Sequence, residues 1–254
     1  MLYLVPVALF VLGAVVASLV GVISGRLHTG QGFLMGRSRC DACNAPLSPS
    51  SLIPIVSYLI LRGKSGCCGA RISPLSPLAE LLLGSLFVLS YLHLGLTLAL
   101  LFFLISLSVL LALVLYDLSH QILPLSLLAV FVSISAVAGF YTAPSTSAYY
   151  SSLSTALFIA IGLALIHFLS RGRLMGLADA PLTFGLTLLT GQSALSGFVF
   201  SFWIGAAVGI LILLKRPSGS RMGVEVPFAP FLAAGFILAY FTQWNLFAFI
   251  TVLP

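Results

Sequence analysis

Thr97–Asp117 reads TLALLFFLISLSVLLALVLYD. Twenty uncharged, mostly apolar residues lead directly into an acid. A helix of that length spans roughly 30 Å, the thickness of a bilayer's hydrocarbon core. The run is continuous, so it reads as a membrane helix and not as an alternating barrel strand. Similar runs lie on both sides of it, at about Leu2–Ser24, Ser76–Leu94, Ile122–Tyr141, Ser151–Ser170, Ala194–Leu214 and Phe228–Val252, with a shorter one at about Ala180–Thr190. Gly95, Gly191-Gln192 and the uncharged stretch Thr142–Tyr150 mark turns between them. The fold class is therefore all-α: a polytopic membrane helix bundle of about eight spans, with a long cysteine-containing loop after the first. No basic residue precedes the first run, so it is expected to stay as a helix and not to leave as a signal peptide.

Composition says the same. Of 254 residues, 60% are hydrophobic and 6% charged, against roughly a quarter charged in soluble domains. That excludes a soluble enzyme, a disordered chain and a nucleic-acid-binding module. The net charge of +6 is a topology signal. Arg26, Arg37, Arg39, Arg62, Lys64, Arg71, Arg171, Arg173, Lys215, Arg216 and Arg221 are all eleven cations. Each falls in a loop that an eight-span chain places on one side, and the positive-inside rule makes that side cytosolic. Both termini are then expected outside.

With so little charge, each of the five acids needs a reason. Asp41 lies in the first loop and Glu80 about a turn into the second span. Asp117, Asp179 and Glu225 lie at helix ends, on the cytosolic boundary of this topology. A carboxylate near the bilayer costs a few kcal/mol to desolvate, so it is a functional candidate by default. The plainer reading is a helix cap or a headgroup contact. Two spans separate Asp117 from Asp179 and return the chain to the same face, so the two can meet. Two adjoining carboxyls can share one proton. The ionised one activates water and the protonated one polarises a peptide carbonyl, as in aspartic proteases. His28, His93, His120 and His167 are scattered, and no HExxH, GxSxG or P-loop pattern occurs.

The first loop carries Cys40-Asp-Ala-Cys43 and then Ser65-Gly-Cys67-Cys68. Four cysteines on a cytosolic side point to metal rather than disulfides. Cys40, Cys43, Cys67 and Cys68 form a candidate zinc site, set against a plainer reading as spare thiols. The second half is degenerate, with two adjacent cysteines in place of a spaced pair.

Taken in order, these residues resemble the bacterial type IV prepilin peptidases, aspartic membrane proteases of the GxGD type, many of which also N-methylate their product. Ser18–Leu27 resembles that family's GSFLNVVIxRLP segment. Ile53-Pro54 through Arg62-Gly63 resembles its IPxxSxLxLRG stretch, and Cys68–Pro74 with Pro77–Glu80 its CGxxIS…YPLVE run. Asp117–Pro124 and Met175–Asp179 resemble its two catalytic motifs, and Glu225–Leu232 its ExxPFGPFLALG tail. The resemblance implies that Asp117 and Asp179 are the catalytic pair, with Glu225, Glu80 and Gly176 binding substrate or supporting the site. It implies prepilin or pseudopilin substrates, cleaved after a Gly at the cytosolic face of the inner membrane. It implies no cofactor for peptidase activity, zinc in the cysteine loop and S-adenosylmethionine for methylation.

The organisation expected is a first transmembrane helix (1–25), a cytosolic cysteine loop (26–75) and a membrane-embedded peptidase domain (76–254). The partners are the pilin precursor and the lipid bilayer, with no nucleic acid. Two other readings stand beside this one: a GxGD intramembrane protease with other substrates, and a non-catalytic membrane assembly factor. The chain departs from the family's pattern at Ala178 (second Gly of GxGD), Pro181 (Lys), Ser119 and Leu125 (acids) and Ser65 (a zinc cysteine).

Overall fold

A computed structural model describes residues 3–26, 40, 42–46, 48, 53–215, 227–244 and 246. Its elements are α1 (Leu4–Arg26), α2 (Val56–Ile60), α3 (Leu75–Leu94), α4 (Leu98–His120), α5 (Leu125–Thr142), α6 (Thr146–Ser170), α7 (Asp179–Thr190), α8 (Ala194–Lys215) and α9 (Ala229–Thr242). A short 3-10 turn, Gly191–Ser193, joins α7 to α8. Among the described residues there is no strand, and Lys64 and Arg71 form an isolated bridge. The all-helical expectation holds.

Each of the eight apolar runs contains a helix. Six stretches are long and apolar enough to cross a bilayer: Leu4–Gly25, Leu75–Leu94, Leu98–His120, Leu125–Thr142, Thr146–Ser170 and Asp179–Lys215. The last of these contains both α7 and α8. With 12 residues, α7 is only about 18 Å long. The apolar α9 is also shorter than a full span, and the expected continuation of that run to Val252 lies outside the described residues.

The chain forms two compact units, Met1–Gly95 and Leu96–Pro254. In the first, α1 packs along α3. Their backbones meet where Gly13 faces Gly84. A Cβ on Gly13 would lie 2.8 Å from the Gly84 Cα, and one on Gly84 would lie 2.9 Å from the Phe10 carbonyl oxygen. Between apolar helices in lipid, close packing of small residues replaces the hydrophobic drive that water supplies elsewhere. Ala14 and Ala17, buried on the same helix, extend the close approach.

In the second unit, α7 packs against α5, α6, α8 and α9, and α4 packs against α5 and α9. Nearly every residue of α7 is buried. A helix without a wet face must satisfy its polar groups internally, and α7 does so through threonine. The hydroxyls of Thr183, Thr187 and Thr190 donate to the carbonyls of Asp179, Thr183 and Leu186 at 2.7, 2.8 and 2.8 Å. These i−4 bonds let a helix of modest hydrophobicity sit in the middle of a bundle. Gly139 of α5 lets α7 come close, because a Cβ there would run into the Leu188 carbonyl.

The helix ends follow local signals. Thr97 caps α4, its hydroxyl accepting the Leu100 N–H at 3.3 Å, and Ser145 caps α6 through the Ala148 N–H at 3.2 Å. Gln121 and Arg171 end α4 and α6 in the left-handed conformation, at φ 54° and 53°.

Candidate active site

Asp117 sits in the last turn of α4, 6% exposed. Its Oδ2 accepts the backbone N–H of Ala229 at 3.3 Å. Ala229 is the first residue of α9 and is followed by Pro230, which has no N–H to offer. The carboxylate thus takes a donor that the helix leaves free and lies at the positive end of the α9 dipole. Tyr116, next to it and also buried, stacks on His120 with ring centroids 4.3 Å apart.

Asp179 is the first residue of α7, 7% exposed. Its Oδ2 accepts the Gly176 N–H at 3.2 Å, and its own N–H donates to the Gly176 carbonyl at 3.3 Å. The carboxylate therefore closes the turn that starts its helix. Asp117 lies near enough for its charge to act on Asp179. Packing explains the approach, since α4 and α7 both lie against α9, and Asp117 binds the N-terminus of that shared neighbour.

Gly176 contributes its N–H. A Cβ there would stand 3.5 Å from Asp179 Oδ2, an ordinary contact. Ala178, in place of the second glycine, has φ −69° and ψ −17°, which any L residue adopts without strain. Pro181 falls in the first turn of α7, where a missing N–H breaks no helical bond. The Ser119 hydroxyl is bound to the Leu115 carbonyl at 3.0 Å.

Two supports of this site were not visible in the sequence. The Ala229 contact uses a backbone N–H, which no side-chain pattern records. The other is His167, on α6, whose Nδ1 pairs with the Met175 carbonyl oxygen at 2.8 Å. It thereby holds the residue next to Gly176. The tight turn at Gly172, φ 76°, packs beneath the same ring, where a Cβ would lie 3.3 Å from His167 Cε1.

Glu80 has a partner within its own unit. It is buried, and its Oε2 accepts the Ile55 N–H at 2.7 Å. Ile55 holds φ 61°, a conformation that costs a β-branched residue of order 1–3 kcal/mol. The short, charge-assisted bond offsets that strain and anchors the start of α2. Glu225 and Asp41 lie outside the described residues.

The four cysteine sulfurs all lie within 4.8 Å of one another. Cys43 and Cys67 are 3.2 Å apart, and Cys40 and Cys68 3.7 Å. A tetrahedron of zinc–sulfur bonds has edges of about 3.8 Å, so the set fits zinc. Cys40 is buried and the other three are exposed. The Ser65 hydroxyl, followed by the N–H groups of Cys43 and Ala42, holds the Cys40 thiol down to about 6, and the thiolate is the form that binds metal.

An all-helical bundle of apolar spans, with two buried carboxylates at helix ends, defines a multi-pass membrane protein with a candidate acid pair. The family model described as "Bacterial Peptidase A24 N-terminal domain" matches residues 11–94. The prepilin leader peptidase/N-methyltransferase of Bacillus subtilis (strain 168) is 31% identical over 236 residues, covering 91% of this chain and 92% of the relative. That of Myxococcus xanthus (strain DK1622) is 33% identical over 216 residues, covering 83% and 64%. That of Legionella pneumophila is 30% identical over 214 residues, covering 81% and 72%. The chain belongs to the prepilin leader peptidase/N-methyltransferase family. No solved structure matches it.

Proposed function

We propose that this chain is a membrane aspartic endopeptidase that removes the leader of type IV prepilins or pseudopilins. It cuts after a Gly at the cytosolic face of the inner membrane, with Asp117 and Asp179 as the reacting pair. What supports this reading is a pair of buried carboxylates at helix ends, each accepting a backbone N–H, in a chain whose relatives bear the peptidase name.

The chemistry needs one ionised and one protonated carboxyl. The ionised carboxylate takes a proton from water as its oxygen attacks the scissile carbonyl carbon, and the other carboxyl gives its proton to the carbonyl oxygen. The resulting gem-diol collapses as the C–N bond breaks. A proton passes to the leaving nitrogen, giving a free acid on the leader and a new amine on the pilin. Burial of both aspartates keeps competing water from the pair and strengthens each polar contact. The Ala229 and Gly176 N–H groups fix where each carboxylate points.

In this reading residues 76–254 form the peptidase domain and 26–75 the cysteine loop, with both termini on the outer side. Glu225 is the acid available to the basic leader, and Glu80 supports the fold of the first unit. The second activity in the relatives' names, N-methylation, would move a methyl group from the S-adenosylmethionine sulfonium to the new amine. Zinc held by Cys40, Cys43, Cys67 and Cys68 would supply a structural crosslink between the two halves of the loop.

Purified wild type, Asp117→Asn and Asp179→Asn are incubated with a prepilin, with and without labelled S-adenosylmethionine. Cleavage by wild type alone is expected, and label in the product marks methylation. Cleavage by either variant at the wild-type rate would defeat the paired mechanism.

A further inference from the structure

Two six-residue turns carry the cysteine cluster, and their hydrogen bonds repeat. In the first, the Cys40 N–H donates to the Ala45 carbonyl at 2.9 Å, and the Asn44 N–H donates to the Cys40 carbonyl at 2.8 Å. In the second, the Ser65 N–H donates to the Ala70 carbonyl at 2.7 Å, and the Gly69 N–H donates to the Ser65 carbonyl at 2.8 Å. The fifth residue of each turn is left-handed, Asn44 at φ 60° and Gly69 at φ 70°. Matching bond to bond sets Ser65 on Cys40, Cys67 on Ala42 and Cys68 on Cys43.

That correspondence shows what each position does. In the first turn, the opening residue, Cys40, presents one of the four sulfurs that all lie within 4.8 Å of one another, so the opening position is a ligand slot. In the second turn the slot holds a hydroxyl. A serine hydroxyl stays protonated near neutral pH and binds zinc poorly beside thiolates. The fourth sulfur is nevertheless at hand. Cys67, which has no thiol counterpart in the first turn, puts its Sγ 3.2 Å from that of Cys43. The buried Ser65 Oγ lies 3.1 Å from Cys67 Sγ and 3.3 Å from Cys40 Sγ.

We propose that the second turn binds zinc through a relocated ligand: Cys67 supplies the sulfur that Ser65, at the turn's ligand slot, does not, and the Ser65 hydroxyl remains as a hydrogen-bond donor to the cluster's sulfurs. This rests on the reading of the four cysteines as a metal site. It adds the order of events within the turn, a vacated slot and a neighbour that takes over its role. With one proton, the hydroxyl donates to one sulfur at a time, the outer-shell contact that steadies metal-bound thiolates.

The test uses the full chain in detergent, reduced and stripped of metal, titrated with Co2+ as an optical probe and then with Zn2+ in competition. Circular dichroism checks the fold of each variant. Wild type is expected to bind one cobalt with the absorption of a four-sulfur site. Cys67→Ser should bind roughly tenfold or more weakly, with the bands of a three-sulfur site. The double variant Ser65→Cys/Cys67→Ser, which returns the sulfur to the slot, should regain the four-sulfur spectrum and an affinity within a few-fold of wild type. Ser65→Ala should keep four sulfurs and lose only a few-fold in affinity. Cobalt bound by Cys67→Ser as in wild type overturns the relocation and leaves the metal site standing. So does a double variant that stays at three sulfurs. A wild-type chain that takes up neither ion removes the metal site and the relocation together.

Discussion

Replacing Asp117 by asparagine or by alanine separates two duties of one carboxylate. Its Oδ2 accepts the Ala229 N–H at the start of α9, and in the proposed reaction the same group exchanges a proton with substrate or water. Asparagine keeps a carbonyl oxygen for the Ala229 N–H but cannot exchange the proton. It also removes one of the two buried carboxyl groups. Alanine abolishes both duties and leaves a buried donor without its acceptor, a loss of about 1–3 kcal/mol. General acid–base groups contribute roughly 10²–10⁴-fold. Cleavage of a prepilin, followed as a mobility shift on gels, should therefore fall by at least about a hundredfold in both variants. Thermal unfolding in the same detergent should separate them. Asp117→Asn should melt no lower than wild type, and Asp117→Ala should melt clearly lower. Equal melting of the two variants would refute the capping role. Cleavage by Asp117→Asn at more than a tenth of the wild-type rate would refute the chemical one.

Three more predictions concern the supports of the site. Gly176→Ala keeps the N–H that Asp179 accepts and adds a Cβ at ordinary distance, so its cleavage rate should stay within a few-fold of wild type. Gly176→Pro removes a hydrogen bond to a charged group, about 1.5–3 kcal/mol, and kcat should fall at least tenfold. Equal loss in the two would show that glycine matters there for another reason. His167→Leu frees the Met175 carbonyl and should lower kcat several-fold with KM little changed. His167→Asn, which retains a donor, should recover part of the loss, and a change confined to KM would assign the ring elsewhere. Glu80→Ala leaves the Ile55 N–H without its carboxylate and should destabilise the first unit by about 1.5–3 kcal/mol. Faster proteolysis between α2 and α3 is the readout, and wild-type resistance would contradict it.

The eight apolar runs were readable because membrane helices are written as length and hydrophobicity, and both survive in one dimension. The region around α7 was less readable. Its threonines lower its hydrophobicity, and they fit only because each hydroxyl turns back to its own helix. The departures at Ala178 and Pro181 stood out against the family's pattern. The backbone angles at Ala178 and the early position of Pro181 in α7 make both ordinary residues for those places. Glu80 was legible as an unusual acid, but not as the anchor of a left-handed Ile55, because the strain of one residue leaves no mark on its neighbours' identities. The cysteine loop was legible as a cluster, while the matching of Ser65 to Cys40 emerged only from the repeated hydrogen bonds.

By itself, the sequence determined that this is a membrane bundle and that Asp117 and Asp179 end up at helix ends. Those properties depend on composition along the chain, which hydrophobic length expresses directly. The tertiary structure alone decided that the helices bearing the two carboxylates share α9 as a neighbour, that backbone N–H groups of Ala229 and Gly176 hold the carboxylates, and that His167 steadies the loop between α6 and α7. Every residue carries the same backbone donors and acceptors. Which of them reaches a given carboxylate is therefore set by how the helices pack.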